Sequence, residues 1–443
     1  MNIVKDITVP ILQLALPLIL IQLCQALLGL VNTIVAGRYH YLDLAAIGLG
    51  SNIWAPVFIL FTGILYVLVP KFSLLKYKED SQQTAQLYQQ GKRVSFLLAM
   101  LGFVFIQALA YLCPLFIPDT DVAKICKNYL HLIAFAMPAL VYMVFYRFIS
   151  EGYSQLHPIL MSFIIMLICD GLLGYVFVHG IGIFPEMGGM GTGLATIISA
   201  YIGCLSMRYW VHKHIPEMSI WTETSTANLS DSIELLKQGM PIGCALVLQV
   251  LALATLAFFA ARLGTQVIAA HQIVINIAMV IIMIPVAMSS AATIRIAHFN
   301  GMKYRKERRW SYYIVTAFTL FYAIVVAGIL SQFARQMTAF FSQDSDVVTI
   351  AATLMCYVAI FLIFDALQTV AAGILRGMQQ FTQPLFVILF CYWMFIIPFS
   401  YMFGINGAFQ VEPSVMTIWK IMIMGIFLAA LLLTAQSYRW VLK

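Results

Sequence analysis

Charge is scarce in this chain. Lys and Arg total 25 and Asp and Glu 18 among 443 residues, 10% of the whole, against 62% hydrophobic residues and a mean hydropathy of +0.92. A water-soluble globule needs far more charge on its surface, so that class is excluded. Apolar runs of about 20 residues recur from end to end, each long enough to cross a ~30 Å hydrocarbon layer. The short alternating segments of a membrane barrel are missing. Lipid forces every backbone amide to pair internally, so the runs read as helices. No cleavable leader is evident, because the first apolar run is long and leads directly into further membrane segments. Catalytic constellations are lacking too: there is no nucleophile elbow, no zinc-spaced histidine pair on a helix and no nucleotide loop, which argues against an integral-membrane enzyme.

The eight cysteines (Cys24, Cys113, Cys126, Cys169, Cys204, Cys244, Cys356 and Cys391) sit mostly inside apolar runs without metal-type spacing. Buried thiols are the expectation, with a Cys113–Cys126 bridge on the outer side as the lesser alternative. The net charge of +7 raises nucleic acid as a partner, but its distribution speaks against one. Basic residues cluster between particular apolar runs, at Lys71, Lys76, Lys78, Lys92 and Arg93, and again at Arg295, Lys303, Arg305, Lys306, Arg308 and Arg309. This is the positive-inside signature and assigns those loops to the cytoplasm. A surface for anionic lipid headgroups is a by-product of it.

What the chain does have is a unit written twice. The stretch from residue 14 to 52 carries Pro17, Gln25, Asn32, Arg38, Ala45-Ala46 and Asn52. At an offset of 224 positions Pro241, Gln249, Arg262, Ala269-Ala270 and Asn276 repeat the pattern. The fold class predicted is an all-α integral membrane protein, with twelve transmembrane helices in two parallel six-helix repeats around a central cavity. The first six spans read 10–36, 44–70, 94–117, 124–149, 159–180 and 190–211. The second six read 236–261, 267–295, 311–334, 346–374, 384–405 and 414–438. An even number of spans puts both termini on one side, and a roughly threefold excess of Lys and Arg makes that side cytoplasmic. The division is thus an amino-terminal lobe at 1–211, a cytoplasmic linker at 212–235 and a carboxy-terminal lobe at 236–443. His212 and His214 in the linker make a poor metal site, being two ligands in a flexible loop. GGMGTG at 188–193 has no preceding strand or βαβ unit, so it reads as glycines easing the packing of the sixth helix rather than as a dinucleotide loop.

An ionisable side chain near the centre of a membrane helix costs at least ~2.5–3.5 kcal/mol on insertion scales and asks for an explanation. Arg147 and Glu151 share a face of the fourth span and read as a structural pair. Asp170 in the fifth span and Asp365 in the tenth have no basic partner in their own helices. Desolvation disfavours the charged form of a carboxylate, which suits such a group to take and release protons. With amide and carbonyl neighbours it can instead hold Na+. The polar residues Gln25, Asn32, Asn52, Gln249, His271, Gln272, Asn276 and Gln368 are either shells around ions and substrate or glue between helices. Most aromatics and the 23 methionines face lipid or pack, while a minority lining a cavity would suit flat apolar cations.

The segments ALPLILIQLCQALLGLVNTIVAG and DLAAIGLGSNI resemble the first two helices of the multidrug and toxic compound extrusion (MATE) transporters. GMPIGCALVLQV, VIAAHQIVINI and DALQTVAAGILRGMQQ are similar to the seventh, eighth and tenth helices of that family's NorM-like branch. The resemblance covers essentially the whole chain. It implies export of cationic, amphipathic compounds by antiport against H+ or Na+, in a bacterial inner membrane, by a chain functional as a monomer and needing no cofactor. Export driven by ATP would require a separate subunit, since no Walker motif is present.

The departures are informative. Asn32 stands where the branch has an aspartate, and Gln249 where it has a glutamate. Asp365 is kept, but Phe361 replaces a tyrosine one turn earlier. Asp170 falls where an asparagine is usual, Gly174 where a second polar residue is frequent, and Thr196 is kept. The expectation is therefore a relocated ion site of Asp170, Asn32 and Thr196. Phe361 and Gln368 join the amides and His271 as candidates for the substrate cavity and the ion shell, and any Na+ would sit at Asp365 or Asp170. Loss of the glutamate and tyrosine favours H+ over Na+. One ion crossing ~100 mV supplies ~2.3 kcal/mol, and one pH unit ~1.4 kcal/mol. Exchange of one proton for one monovalent cation is electroneutral and draws on the concentration gradient alone. The rival reading is a lipid-linked saccharide flippase of the same architecture, which would carry basic cavity residues and more usually fourteen spans.

Overall fold

The computed structural model describes residues 3–76, 81–117, 119–218, 228–342, 344–407 and 412–442; Lys78 and linker residues 219–227 lie outside them. The described residues are helical throughout, without a strand. We number the helices α1 (Ile3–Tyr39), α2 (Tyr41–Leu65), α3 (Leu68–Lys76), α4 (Ser81–Leu112), α5 (Thr120–Gly152), α6 (His157–His179) and α7 (Gly189–His214). There follow α8 (Leu229–Arg262), α9 (Thr265–Gly301), α10 (Arg305–Gln332), the short α11 (Ala334–Ala339), α12 (Ser345–Gly377), α13 (Thr382–Ile405) and α14 (Val415–Leu442). With α2 and α3 counted together, twelve spans are long and apolar enough to cross a bilayer, and each expected span overlaps one of them. Large apolar side chains such as Val104, Phe105, Phe258, Phe321 and Leu431 are exposed, which lipid rather than water tolerates.

The doubling extends to the helix caps. Asp119 accepts from the backbone N–H of Asp121 and Val122 at 2.9 and 3.1 Å and starts α5. Asp344, 225 positions on, accepts from Asp346 and Val347 at 2.9 and 3.3 Å and starts α12. Each helix is 33 residues long. Each then stops in the same way, with Ser154 and Gln379 at φ +58° and the following residue's N–H returning 2.8 Å to Ser150 O or Leu375 O. These caps satisfy backbone groups that the helix ladder leaves over. In its own unit α5 packs against α2, α4 and α7, and α12 against α9, α10 and α14.

The chain forms two compact units, Pro17–Gly243 and Met1–Leu16 with Cys244–Lys443. The division runs through α1 and α8, beside Pro17 and Pro241, whereas the sequence division placed it in the linker. Each proline withdraws one amide from its helix ladder at that point. Within the first unit, Gly239 and Gly243 bring the start of α8 onto the backbone of α2. A methyl added at Gly243 would lie 2.5 Å from Leu60 O, and one at Gly63 would strike the Gly243 backbone. Only hydrogen fits there, the small-residue contact by which membrane helices approach closely. In the other unit, Ser289 Oγ donates to Thr369 O at 2.7 Å and Thr293 Oγ to Gly373 O at 2.8 Å, stitching α9 to α12.

Several local expectations resolve here. In GGMGTG, Gly189 N–H donates to Asp43 Oδ1 at 2.8 Å, and a Cβ on Gly191 would meet Val178 N at 2.7 Å. The glycines thus seat the start of α7. His212 and His214 belong to the last turn of α7 rather than to a loop, because the helix outlasts the apolar run; His214 pairs with Trp210 O at 2.9 Å. The linker is shorter accordingly, since α8 begins at Leu229. Arg147 and Glu151 form a buried ion pair of 2.7 Å, with Phe148 and Phe163 each 5.7 Å from the guanidinium. All eight cysteines are free. Cys113, Cys126 and Cys391 are buried, but Cys356 is exposed and the other four half-buried, because helix faces turned to lipid accept a thiol as readily as the core does. Cys113 and Cys126 stand 3.2 Å apart, sulfur to sulfur.

Candidate functional site

In the unit Pro17–Gly243 three of the expected residues meet. Asp170 on α6 is 1% exposed, and Ser199 on α7 donates to its Oδ1 at 2.8 Å. Asn32 on α1 donates through Nδ2 to Thr196 Oγ on α7 at 3.3 Å, and both residues lie beside the Asp170 carboxyl group. Two oxygens in this group, Asp170 Oδ2 and Asn32 Oδ1, are buried without a hydrogen-bond partner. Both are acceptors, so what the group leaves open is a place for a donor or a cation.

Two residues outside the expected set complete the surroundings. Ser199 lies one turn beyond Thr196, and that spacing on the sixth span was the signal that could have found it. Tyr129 on α5 is 3% exposed, lies 3.5 Å from Ser51 Oγ, packs against Trp54 and stands near Asp170. Nothing in the run KNYLHL marks it beforehand; it enters because Ala36, Ile47 and Ile133 enclose its ring. Gln25 is half-buried and Asn52 exposed, and among the described residues neither joins the Asp170 group.

The other unit has a different centre. Asp365 on α12 is 3% exposed and accepts from Gln368 Nε2 at 3.1 Å. The same Gln368 nitrogen lies 2.7 Å from the Tyr392 hydroxyl on α13, and Gln249 Nε2 on α8 reaches that hydroxyl at 3.1 Å. Tyr392 is the junction of this network, and the sequence reading missed it. It falls in Leu389–Ile396, one of two π-helical stretches of α13, the other being Ser400–Ile405. The wider turn of a π-helix alters which side chains share a face, and such turns gather at functional sites. Trp393 beside it donates to Leu248 O at 3.1 Å. Gln368 Oε1 has no partner.

Phe361 and His271 sit apart from that network, around Trp419. The Phe361 ring meets Trp419 edge-on at 5.8 Å, and His271 lies 5.7 Å from the same indole. His271 is 1% exposed and neither ring nitrogen has a partner. Gln272 and Asn276 are exposed on α9 and are not drawn to Asp365. Among the described residues neither aspartate makes an ion pair, and no three His, Cys, Asp or Glu side chains converge as a transition-metal site.

The MatE family profile matches residues 17–176 and 241–402, one match for each half of the repeat. Among curated proteins the chain is 30% identical to a probable multidrug resistance protein NorM of Acinetobacter baylyi over 427 residues, 96% of this chain and 94% of that one. It is 28% identical to the multidrug resistance protein MdtK of Yersinia pestis over 442 residues, 98% and 95% of the two chains. Among solved structures, the eukaryotic MATE transporter AtDTX14 superposes with a TM-score of 0.85 at 17% identity, covering 99% of both chains. An outward-facing multidrug resistance MATE transporter of the MOP superfamily superposes with a TM-score of 0.86 at 16% identity, over 98% of this chain and 95% of that one. A repeat-by-repeat family match and near-full-length relatives leave one assignment: this chain belongs to the MATE family of multidrug efflux transporters, as a multi-pass membrane protein of the NorM-like branch and not an enzyme.

Proposed function

We propose that the chain exports cationic, amphipathic organic compounds by antiport with a monovalent cation, with access alternating between the two lobes and both termini in the cytoplasm of a bacterial inner membrane. The coupling ion binds at Asp170. The observation that carries this is the pair of buried, unpartnered acceptors Asp170 Oδ2 and Asn32 Oδ1, beside Thr196 and Ser199. Two lone acceptors in a buried group each carry a desolvation cost of about 1–3 kcal/mol, and a bound cation removes it. A proton on Oδ2 turns one of them into a donor for the other. Na+ would find the carboxylate, the Asn32 carbonyl and two hydroxyls, an oxygen set suited to a hard cation. The proton is the preferred ion, because it needs no further ligand. The chain works as a monomer and takes no cofactor.

Ion release costs the empty site its stabilisation, and substrate binding supplies the opposing term. Because ion and substrate favour different access states, neither crosses without the other. The test is dye uptake into inverted membrane vesicles driven by an imposed pH gradient, with and without Na+. Uptake that follows the pH gradient and ignores Na+ supports proton coupling at Asp170. Uptake that requires Na+ at constant pH would assign the site to Na+, and uptake indifferent to both would remove antiport. A drug-susceptibility shift in an efflux-deficient strain tests the substrate class independently.

A further inference from the structure

The first two turns of α10 carry three basic residues, Arg305, Lys306 and Arg309, that no carboxylate pairs with among the described residues. Arg305, Lys306, Arg309, Trp310 and Tyr313 line a cavity of about 560 Å³. Arg305, Arg309 and Tyr313 follow one another at spacings of four, and Lys306 and Trp310 form the adjacent row, so the five share one side of the helix. Arg308 faces the other way and is fully committed, donating to Val441 O at 2.9 and 3.2 Å and to Asn300 Oδ1 at 3.0 Å. Arg309 directs one N–H to Leu442 O at 3.4 Å, leaving its other donors. Among the described residues no carboxylate lies within ion-pair distance of Arg305, Lys306 or Arg309, although Glu307 stands between them in sequence. Three cations lining one cavity repel one another, so the arrangement favours a ligand that brings negative charge.

The rest of α10 says what kind of ligand. From Trp310 to Ala334 the chain has no charged residue. Tyr313, Ala317, Phe321, Ile324 and Gly328 are exposed at helical spacing below the cavity, flanked by exposed Phe318, Val325 and Ile329. A cationic pocket edged by Trp and Tyr and continuous with a bare apolar stripe has the two-part character of a phospholipid. We propose that this pocket binds the phosphate headgroup of one anionic lipid, whose acyl chain lies along the exposed stripe of α10. Arg305 and Arg309 clamp the phosphate with paired N–H donors, which their planar guanidinium suits, and Lys306 adds a point charge. Trp310 and Tyr313 hold the glycerol level. A free phosphate would use the cations but not the stripe.

The experiment is native mass spectrometry of the full-length chain from bilayer discs of phosphatidylcholine containing a minority of phosphatidylglycerol. The wild-type chain retains one phosphatidylglycerol in preference to phosphatidylcholine. Each basic side chain near anionic headgroups is worth roughly fivefold, so R305Q/K306Q/R309Q lowers that preference by on the order of a hundredfold. R305K/R309K keeps the charge and holds most of it. Arg308, which ties α10 to the end of α14, is untouched in every variant, and the thermal midpoint in detergent checks that each is folded. Unchanged preference in the triple glutamine variant overturns the proposal. So does an equal loss in the lysine variant. Displacement of the lipid by inorganic phosphate at millimolar concentration, with phosphate itself then bound, overturns the lipid in favour of a free anion.

Discussion

In the unit Pro17–Gly243 the buried carboxylate sits on α6 and draws its partners from α1 and α7, whereas in the other unit it sits on α12 and draws on α8 and α13. The two units share caps, helix lengths and helix stops at an offset of 225 positions. At that offset Asp170 answers to Phe395 and Asp365 to Leu140. The repeat therefore sets where helices begin and end without setting which helix carries the acid. The neighbours differ in kind as well. Asp170 meets small hydroxyls and an amide, with two acceptors left open, whereas Asp365 is tied through Gln368 to a tyrosine that also holds Gln249. The first arrangement leaves two acceptors open around its acid; the second leaves one, Gln368 Oε1, in a network joined by a tyrosine hydroxyl.

The sharpest way to break this comparison is to neutralise each acid in turn. Asp170→Asn is expected to abolish gradient-driven dye uptake in inverted vesicles, a loss of at least about 10²-fold in initial rate, since it removes the group proposed to bind the ion. Asp365→Asn is expected to cost several-fold and to leave the dependence on the pH gradient in place. Intact coupling in the first variant with loss in the second would reverse the assignment of the two units.

A second comparison concerns buried charge. Glu151 is 0% exposed and relies on Arg147, while Arg376, at the matching position of α12, bonds Ser289 Oγ at 3.0 Å and the Ala372 carbonyl at 3.2 Å. Arg147→Met strands a buried carboxylate and should destabilise by about 3–5 kcal/mol, because only the partner offsets its desolvation. Glu151→Gln together with Arg147→Met should recover most of that loss in the thermal midpoint in detergent, and failure to recover would show that the guanidinium acts through Phe148 and Phe163 instead.

Smaller effects follow at the tyrosines. Tyr392→Phe removes the hydroxyl that buried Gln368 and half-buried Gln249 both reach and should cost about 1–3 kcal/mol, whereas Tyr129→Phe loses a contact of 3.5 Å to Ser51 and should cost under about 1 kcal/mol. Equal losses would remove the contrast between a hydroxyl that joins two glutamines and one held by a single long contact. The caps give the smallest change. Asp119→Ala and Asp344→Ala should each lower stability by about 1 kcal/mol and by the same amount within error, a check that the units are equivalent where the backbone is concerned.

Much of this was legible beforehand, and the boundary between what was and was not has a physical cause. Asp170, Asn32 and Thr196 could be grouped only through the resemblance, which placed Asn32 and Thr196 at the branch's first-helix aspartate and sixth-helix threonine and Asp170 where it usually has an asparagine. Ser199 could have been added from its spacing. Tyr129 and Tyr392 could not, since an aromatic with one hydroxyl looks like lipid-facing or core material until its neighbours are known. Gln25, Asn52, Gln272 and Asn276 show the converse. They had the same credentials as Asn32, yet none of them joins a buried polar group among the described residues. His271 is buried but keeps company with Trp419 rather than with Asp365.

The sequence by itself determined twelve helices and their doubling. Those features depend on short-range chemistry: apolar runs long enough for a bilayer, and backbone that must pair within each span. Only the tertiary structure decided which side chains close around each acid. That depends on the rotation of every helix about its axis, set by glycine contacts such as Gly63 with Gly243 and, in α13, by two π-helical stretches that change the facing of Tyr392. Hydrophobic periodicity cannot fix that rotation in a membrane, where helix faces turned to lipid and to the core are equally apolar.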